Sequence, residues 1–176
     1  MFVPDAYYHL FSRGSNRQAI SIQDEDRSDF LLCLGDALSR HGLACIAYCL
    51  MPNHYHLVLN VGEAQISRAI QRLNGRYARR FNRRYGRDAH VFKNRFGAVL
   101  LETESHFRWV CGYVVTNPVR AGLCSLPDEW RWSSYRACVG LDPPPPFLDA
   151  ARALAFFGDL GPDPVAGYRR FVSGCV

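Results

Sequence analysis

No stretch of the 176-residue chain approaches the roughly 20 consecutive apolar residues that a membrane-spanning helix needs, and "MFVPDAYYHL" lacks both a basic leader and a signal-type apolar block. A cytoplasmic protein without a membrane partner is the expectation. Cys-x-x-Cys pairs are missing too. The seven cysteines (Cys33, Cys45, Cys49, Cys111, Cys124, Cys138, Cys175) are odd in number and sit mostly in apolar or small-residue runs, which reads as reduced, structural thiols and argues against zinc. Lysine is nearly absent, since 20 of the 21 basic residues are arginine. What the chain does have is 48% hydrophobic residues, enough for one domain with a proper core.

The net charge of +5 is unevenly spread. Between Arg68 and Arg95 ten basic residues face a single acid, Asp88, so this segment carries +9 and the rest of the chain −4. An anionic partner docking on one segment is implied, and a polyphosphate backbone is the commonest such partner. A solvated helix face in an arginine-biased protein is the competing explanation.

Hydrophobic periodicity orders the elements. "AYYHLFSRG" reads as a strand and turn; Asp24 can cap a helix carrying Phe30, Leu31, Leu34 and Leu38 that stops at Gly42. "LACIAYCL" and "HYHLVLNV", separated by Met51-Pro52-Asn53, form an antiparallel hairpin. From Ile66 to Phe81 the period is helical: Ile66, Ile70, Leu73, Tyr77 and Phe81 share one stripe, with Arg68, Arg72, Arg76, Arg79 and Arg83 on the opposite flank. "HVFKNRFGAVLLE" is strand-like, and Thr103 caps a further helix that Pro118 is expected to end. After "EWRWSSY" come an extended Pro143–Pro146 run and a short apolar helix near "DAARALAFFG". This order predicts an α+β, ferredoxin-like sandwich: a mainly antiparallel sheet, helices on one face, and a C-terminal tail.

Within "AYCLMPNHYHLVLN", His54 and His56 are two apart in a strand, so they share a face at about 7 Å and can converge on one cation. In "YVVTNPVRAGL", Tyr113 and Asn117 are four apart near a helix end and stack on one side. An amide oxygen is a reasonable third ligand, and a phenol one turn away would sit beside the cation. Plain packing for Tyr113 and helix termination for Asn117 are the alternative. Without thiolate ligands, Mg²⁺ or Mn²⁺ is favoured over Zn²⁺.

The stretches "YYHLFSRGSNRQ", "AYCLMPNHYHLVL", "YVVTNPVRAGL" and "WRWSSY" together resemble the REP-associated tyrosine transposases of the single-tyrosine HUH superfamily. The resemblance spans roughly residues 6 to 136. It implies a ferredoxin-like catalytic domain over residues 1–140, with 141–176 left as a proline-rich linker and short helical tail. It further implies His54, His56 and Asn117 as metal ligands, Tyr113 as nucleophile, and cleavage of single-stranded DNA near REP hairpins through a 5′-phosphotyrosine link. "GRDAHVFKNRF" departs from the family pattern at Asp88, Lys93 and Asn94. DNA contacts are expected from the helix arginines, from Arg13, Asn16 and Arg17 in the first turn, and from Lys93, Arg95 and Arg120; Tyr85 and Phe92 are candidates for stacking on bases. A non-catalytic hairpin-binding protein and a phosphodiesterase activating water remain alternatives, and monomer versus dimer is open.

Overall fold

Alternation sets the first strand, β1 (Ala6–Arg13): Tyr8, Leu10 and Ser12 are buried, while Tyr7, His9, Phe11 and Arg13 on the other side are partly or fully open. The computed structural model describes residues 6–61, 66–93 and 95–176; the start of the N-terminal block and Asn94 lie outside them. β2 (Ala44–Leu50) and β3 (His54–Val61) pair antiparallel across the predicted turn, where the Met51 N–H donates to the His54 carbonyl at 2.9 Å. β4 (Gly97–Leu101) pairs antiparallel with β1, giving the order β2-β3-β1-β4. The described strand is shorter than "HVFKNRFGAVLLE" suggests. Lys93 N–H bonds Arg13 carbonyl and Ser15 N–H bonds Val91 carbonyl, so the first half of that run closes over the turn after β1 instead of extending the ladder.

Two helices cover the face of Tyr55, Leu57 and Leu59. In α1 (Asp24–Arg40), Phe30 lies 4.9 Å, centroid to centroid, from Tyr55. In α2 (Ile66–Tyr85), Asn74 accepts a 2.9 Å hydrogen bond from the Tyr55 hydroxyl, and the predicted stripe of Ile66, Ile70, Leu73, Tyr77 and Phe81 is buried. Each fully buried Leu or Phe there contributes about 2–3 kcal/mol. The start of α1 is held by Asp26, not Asp24: its carboxylate accepts from the N–H groups of Ile22 and Gln23 at 2.8 and 3.0 Å.

The expectation of helices on one face only fails. α3 (Glu104–Arg120) packs on the opposite face, with Phe107 4.8 Å from Tyr7 and Tyr113 5.5 Å from His56. The reason is visible in β2 and β3, which are buried along nearly their whole length on both sides, so the sheet needs cover twice. Pro118 does not end α3 either; the helix runs to Arg120. It stops at Gly122 (φ +70°), where Gly122 N–H returns to Val119 carbonyl and Leu123 N–H to Pro118 carbonyl, a five-to-two and a six-to-one closure.

The segment after α3 clamps this second layer. Residues of "WRWSSY" seal the outer edge of β2: Trp130 Nε1 donates to Leu50 carbonyl at 3.1 Å and Leu50 N–H to Trp132 carbonyl at 2.9 Å. α4 (Tyr135–Cys138) follows, and the proline run then returns to the same edge, with Asp149 N–H on Cys45 carbonyl at 2.8 Å. α5 (Ala150–Ala155) packs against β2 and α6 (Pro164–Ser173) against α3, and together they bring Phe157, Tyr168 and Val172 into the core. Contact is so close at Gly112 of α3 that a Cβ there would stand 2.8 Å from Cys175 Sγ. All seven cysteines are free.

Candidate active site

β1, β3 and α3 meet in an open cleft of about 520 Å³ lined by His9, Phe11, Ser12, Arg13, His54, His56, Tyr113 and Asn117. The strand register decides which side chains enter it. Arg13 stands opposite His54, and Phe11 opposite His56, so every second residue of both strands faces α3. Thr103 caps α3 as expected, its hydroxyl accepting from His106 N–H at 3.1 Å. Tyr113 and Asn117 are one turn apart on α3, Tyr113 well inside the helix and Asn117 in its last turn.

His54 is oriented from behind. The Asn53 amide nitrogen donates to Arg17 carbonyl at 3.3 Å, which leaves Asn53 Oδ1 to accept from His54 Nδ1 at 2.7 Å. The proton therefore sits on Nδ1 and the Nε2 lone pair is free. Asn117 lines the cleft together with His54. His56 Nδ1 lies 2.9 Å from His9 Nε2, and the two rings stack at 5.1 Å.

Burial is the main influence on all three imidazoles. It lowers His54, reinforced by the Arg13 guanidinium and opposed by the Asn117 side chain. Burial followed by His9, His54 and Arg13 brings His56 to about 3, and burial with His106 brings His9 to about 4. All three are neutral near pH 7, the state in which imidazole nitrogen can ligate a cation. Among the described residues no group of three or more His, Cys, Asp and Glu side chains is placed to hold a metal. The donor set available here is thus two imidazoles and one amide, which suits a hard or borderline divalent ion that keeps several positions for phosphate oxygens and water.

Tyr113 stands edge-on to His56 and to His9, at 5.5 and 6.2 Å between centroids. Trp109 stacks parallel to it at 5.4 Å, and the Arg120 guanidinium carbon is 5.7 Å from its ring. Arg120 also donates to the Cys175 carbonyl at 3.0 Å, tying this column to the C-terminal residues. His9 is the residue that sequence reasoning missed. Its signal was the alternation of β1, which puts it on the side of Arg13, but the pairing register was needed to bring it to His56.

Of the sequence-predicted DNA contacts, Arg13 lines the cleft. Asn16 and Arg17 stand on the adjoining turn in left-handed backbone (φ 52° and 59°), an uncommon conformation for an arginine, and both are exposed. Lys93 is held beside them through its backbone. Arg95 is exposed ahead of β4. The α2 arginines are elsewhere, on the other face of the sheet, and they divide in two. Arg72 and Arg76 pair with Asp36 of α1 at 3.0 and 2.7 Å; their neighbours Arg80 and Arg84 pair with Asp29 at 3.3 and 2.6 Å. Arg68, Arg79 and Arg83 have no ion-pair partner among the described residues. Tyr85 and Phe92 are committed to packing: the Tyr85 hydroxyl donates to Asp26 at 2.7 Å, and Phe92 lies 5.8 Å from Tyr55.

No helix among the described residues is long and apolar enough to cross a membrane. A protein of Haemophilus influenzae named as a REP-associated tyrosine transposase is 24% identical over 138 residues, covering 68% of this chain and 78% of that protein. A solved structure of a REP-associated tyrosine transposase bound to a REP hairpin superposes with a TM-score of 0.69 over 81% of this chain and 86% of that one; at 16% identity the likeness is one of fold. The family model described as "Transposase IS200 like" matches residues 2–117, a span that takes in the whole sheet, both histidines of β3, Tyr113 and Asn117. The chain belongs to the IS200-like transposase family, whose membership implies cleavage and rejoining of DNA.

Proposed function

We propose that this protein cleaves and transfers single-stranded DNA near REP-type hairpins, with Tyr113 as nucleophile. The observation that carries this reading is the convergence of His54, His56, Tyr113 and Asn117, from a strand and a helix more than 50 residues apart, in one open cleft. Its REP-hairpin substrate is suggested by the relatives named above.

His54 and His56, with neutral imidazoles, and Asn117, through its amide oxygen, would hold Mg²⁺ or Mn²⁺ in the cleft they line. When bound there, the ion supplies Lewis-acid polarisation of the scissile phosphate. The rest follows from the side chains. The Tyr113 oxygen attacks phosphorus and forms an O–P bond, the bond to the 3′-oxygen breaks, the phenolic proton is lost to water, and the departing oxygen takes up a proton as a 3′-hydroxyl. The 5′-phosphotyrosyl link keeps the phosphodiester's energy, so the reverse attack rejoins strands without ATP. Trp109 and His56 restrict the Tyr113 ring and so limit the directions from which its oxygen can approach. Arg13, Asn16, Arg17 and Lys93 at one end of the cleft and Arg120 at Tyr113 would hold phosphates leading to it. The α2 arginines would add contacts to the same DNA from the far face.

A labelled single-stranded oligonucleotide carrying the repeat, incubated with Mn²⁺ and resolved on a denaturing gel, tests the reading. Wild type is expected to shift label to a protease-sensitive, protein-sized band, and Tyr113→Phe to bind without forming it. Free 5′-phosphate ends with no protein attached would instead assign the nucleophile to water.

A further inference from the structure

Phenylalanine, tyrosine and tryptophan in this chain are buried or half-buried in every described position but two, Phe11 and Trp109, which are 39% and 52% exposed. Phe11 is in the cleft, and Trp109 stands against Tyr113, which lines it. Phe11 lines it from β1, with its ring 6.2 Å from His56 and 5.3 Å from His9. Trp109 stands one turn before Tyr113 on α3, its indole within 7° of parallel to the phenol. Exposing large aromatics costs burial energy that every other position has taken up.

Both rings are held in place. Phe11 lies over Gly97 of β4 so closely that a Cβ on that glycine would be 2.4 Å from the ring, which means residue 97 has to lack a side chain for Phe11 to rest there. Trp109 is fixed by its stack on Tyr113, which covers one face of the indole and leaves the other to solvent. The cleft wall that Phe11 shares is polar: His9, His56, Asn117 and Arg13 line it. An apolar helix or a second protein surface would leave those groups desolvated and unpaired. Alternating polar and flat aromatic surface is what unpaired nucleotides offer in return, phosphate and sugar alternating with π-faces.

We propose that Trp109 and Phe11 are base-stacking platforms for two unpaired nucleotides on either side of the phosphate presented to Tyr113. This rests on the reading of the cleft as a single-stranded DNA site. Trp109 extends the Tyr113 ring into a continuous column, so a base on its outer face fixes where the adjoining phosphate falls along α3. Phe11 receives the next base across the imidazoles. Both stacks are indifferent to base identity, so they set strand position and leave sequence choice to the hairpin.

Fluorescence anisotropy with a labelled single-stranded oligonucleotide, carrying one abasic site moved stepwise along it, tests this without cleavage. Trp109→Ala is expected to weaken binding of the intact strand by roughly tenfold, and Trp109→Phe to recover most of it. One abasic position should weaken wild type to a similar extent and Trp109→Ala no further, because both remove the same stack; Phe11→Ala should couple to a different position. Losses that simply add at every position would overturn the proposal. So would unchanged affinity in Trp109→Ala, including the case where that variant alters sedimentation and so assigns the indole to protein contact. If wild type binds and cleaves while Trp109→Ala is silent, only the stacking proposal falls; if wild type binds no strand, the single-stranded DNA reading falls with it.

Discussion

On the α2 face of the sheet, arginines meet carboxylates: Asp36 takes Arg72, Arg76 and Arg40, and Asp26 and Asp29 take Arg84. On the α3 face, three imidazoles, an amide and a phenol share a cleft that no carboxylate among the described residues lines. The first face is rich in charge and has much of it neutralised, with Asp36 held down to about 2 by its arginine partners. The second has little charge and keeps its nitrogens neutral by burial. Net charge along the sequence pointed to the first face, yet the chemistry proposed above needs the second, where lone pairs and an open cleft would bind a cation and a phosphate as paired ions cannot.

The comparison breaks most sharply at the histidines. His54→Ala or His56→Ala should lower cleavage by more than about a hundredfold while the melting temperature stays within a few degrees. His9→Ala, which removes the partner of His56 but no proposed metal ligand, should cost about ten- to a hundredfold; rates indistinguishable from wild type would mean that His9 does nothing for the site.

On the other face the largest effect is on stability. Burial alone would raise the Asp26 carboxyl, but the N–H groups of Gln23 and Ile22, the Tyr85 hydroxyl and Arg84 outweigh it and hold it below its ordinary value. Asp26→Ala should therefore destabilise by about 2–4 kcal/mol in urea titration. The sign with pH follows: a depressed folded pKa means the contribution is complete above the ordinary value near 4 and is lost as pH falls through the folded one. Acid should thus narrow the gap between wild type and Asp26→Ala. A gap that widens in acid would contradict the assignment.

The smaller effect is on DNA binding. Replacing Arg68, Arg79 and Arg83 with Ala should reduce the salt slope by about two to three units, since each is free to meet a phosphate. Arg72→Ala with Arg76→Ala should change it by less than half as much, because Asp36 already occupies both. Equal slopes in the two variants would mean that the ion pairs open on binding.

How much of this could be read beforehand differs by element. The α2 stripe, the β2–β3 hairpin and the shared face of His54 and His56 follow from periods of 3.6 and 2 within a few residues, and the structure has them. The position of α3 does not, since nothing local says which face a helix crosses; only the continuous burial of β2 and β3 hints at a second layer. Pro118 misled because a proline in the last turn removes a single N–H, and Gly122 four residues on supplies the stop. Arg72 and Arg76 read as free because Asp36 is more than 30 residues away in sequence. The segment after Gly140 carried no motif, yet Tyr168 and Phe157 are core residues that hold α3, and Tyr113 with it, against the sheet.

The most direct measurement identifies the residue that carries DNA. Trypsin releases Trp109–Arg120 as one peptide, "WVCGYVVTNPVR", in which Tyr113 is the only tyrosine. Mass spectrometry of the digested covalent adduct should find the nucleotide mass on this peptide and fragment ions placing it on Tyr113. The adduct on any other peptide, including those of Tyr135 and Tyr168, which are buried away from the cleft with their hydroxyls pushed up by burial, would contradict the assignment of chemistry to the α3 face.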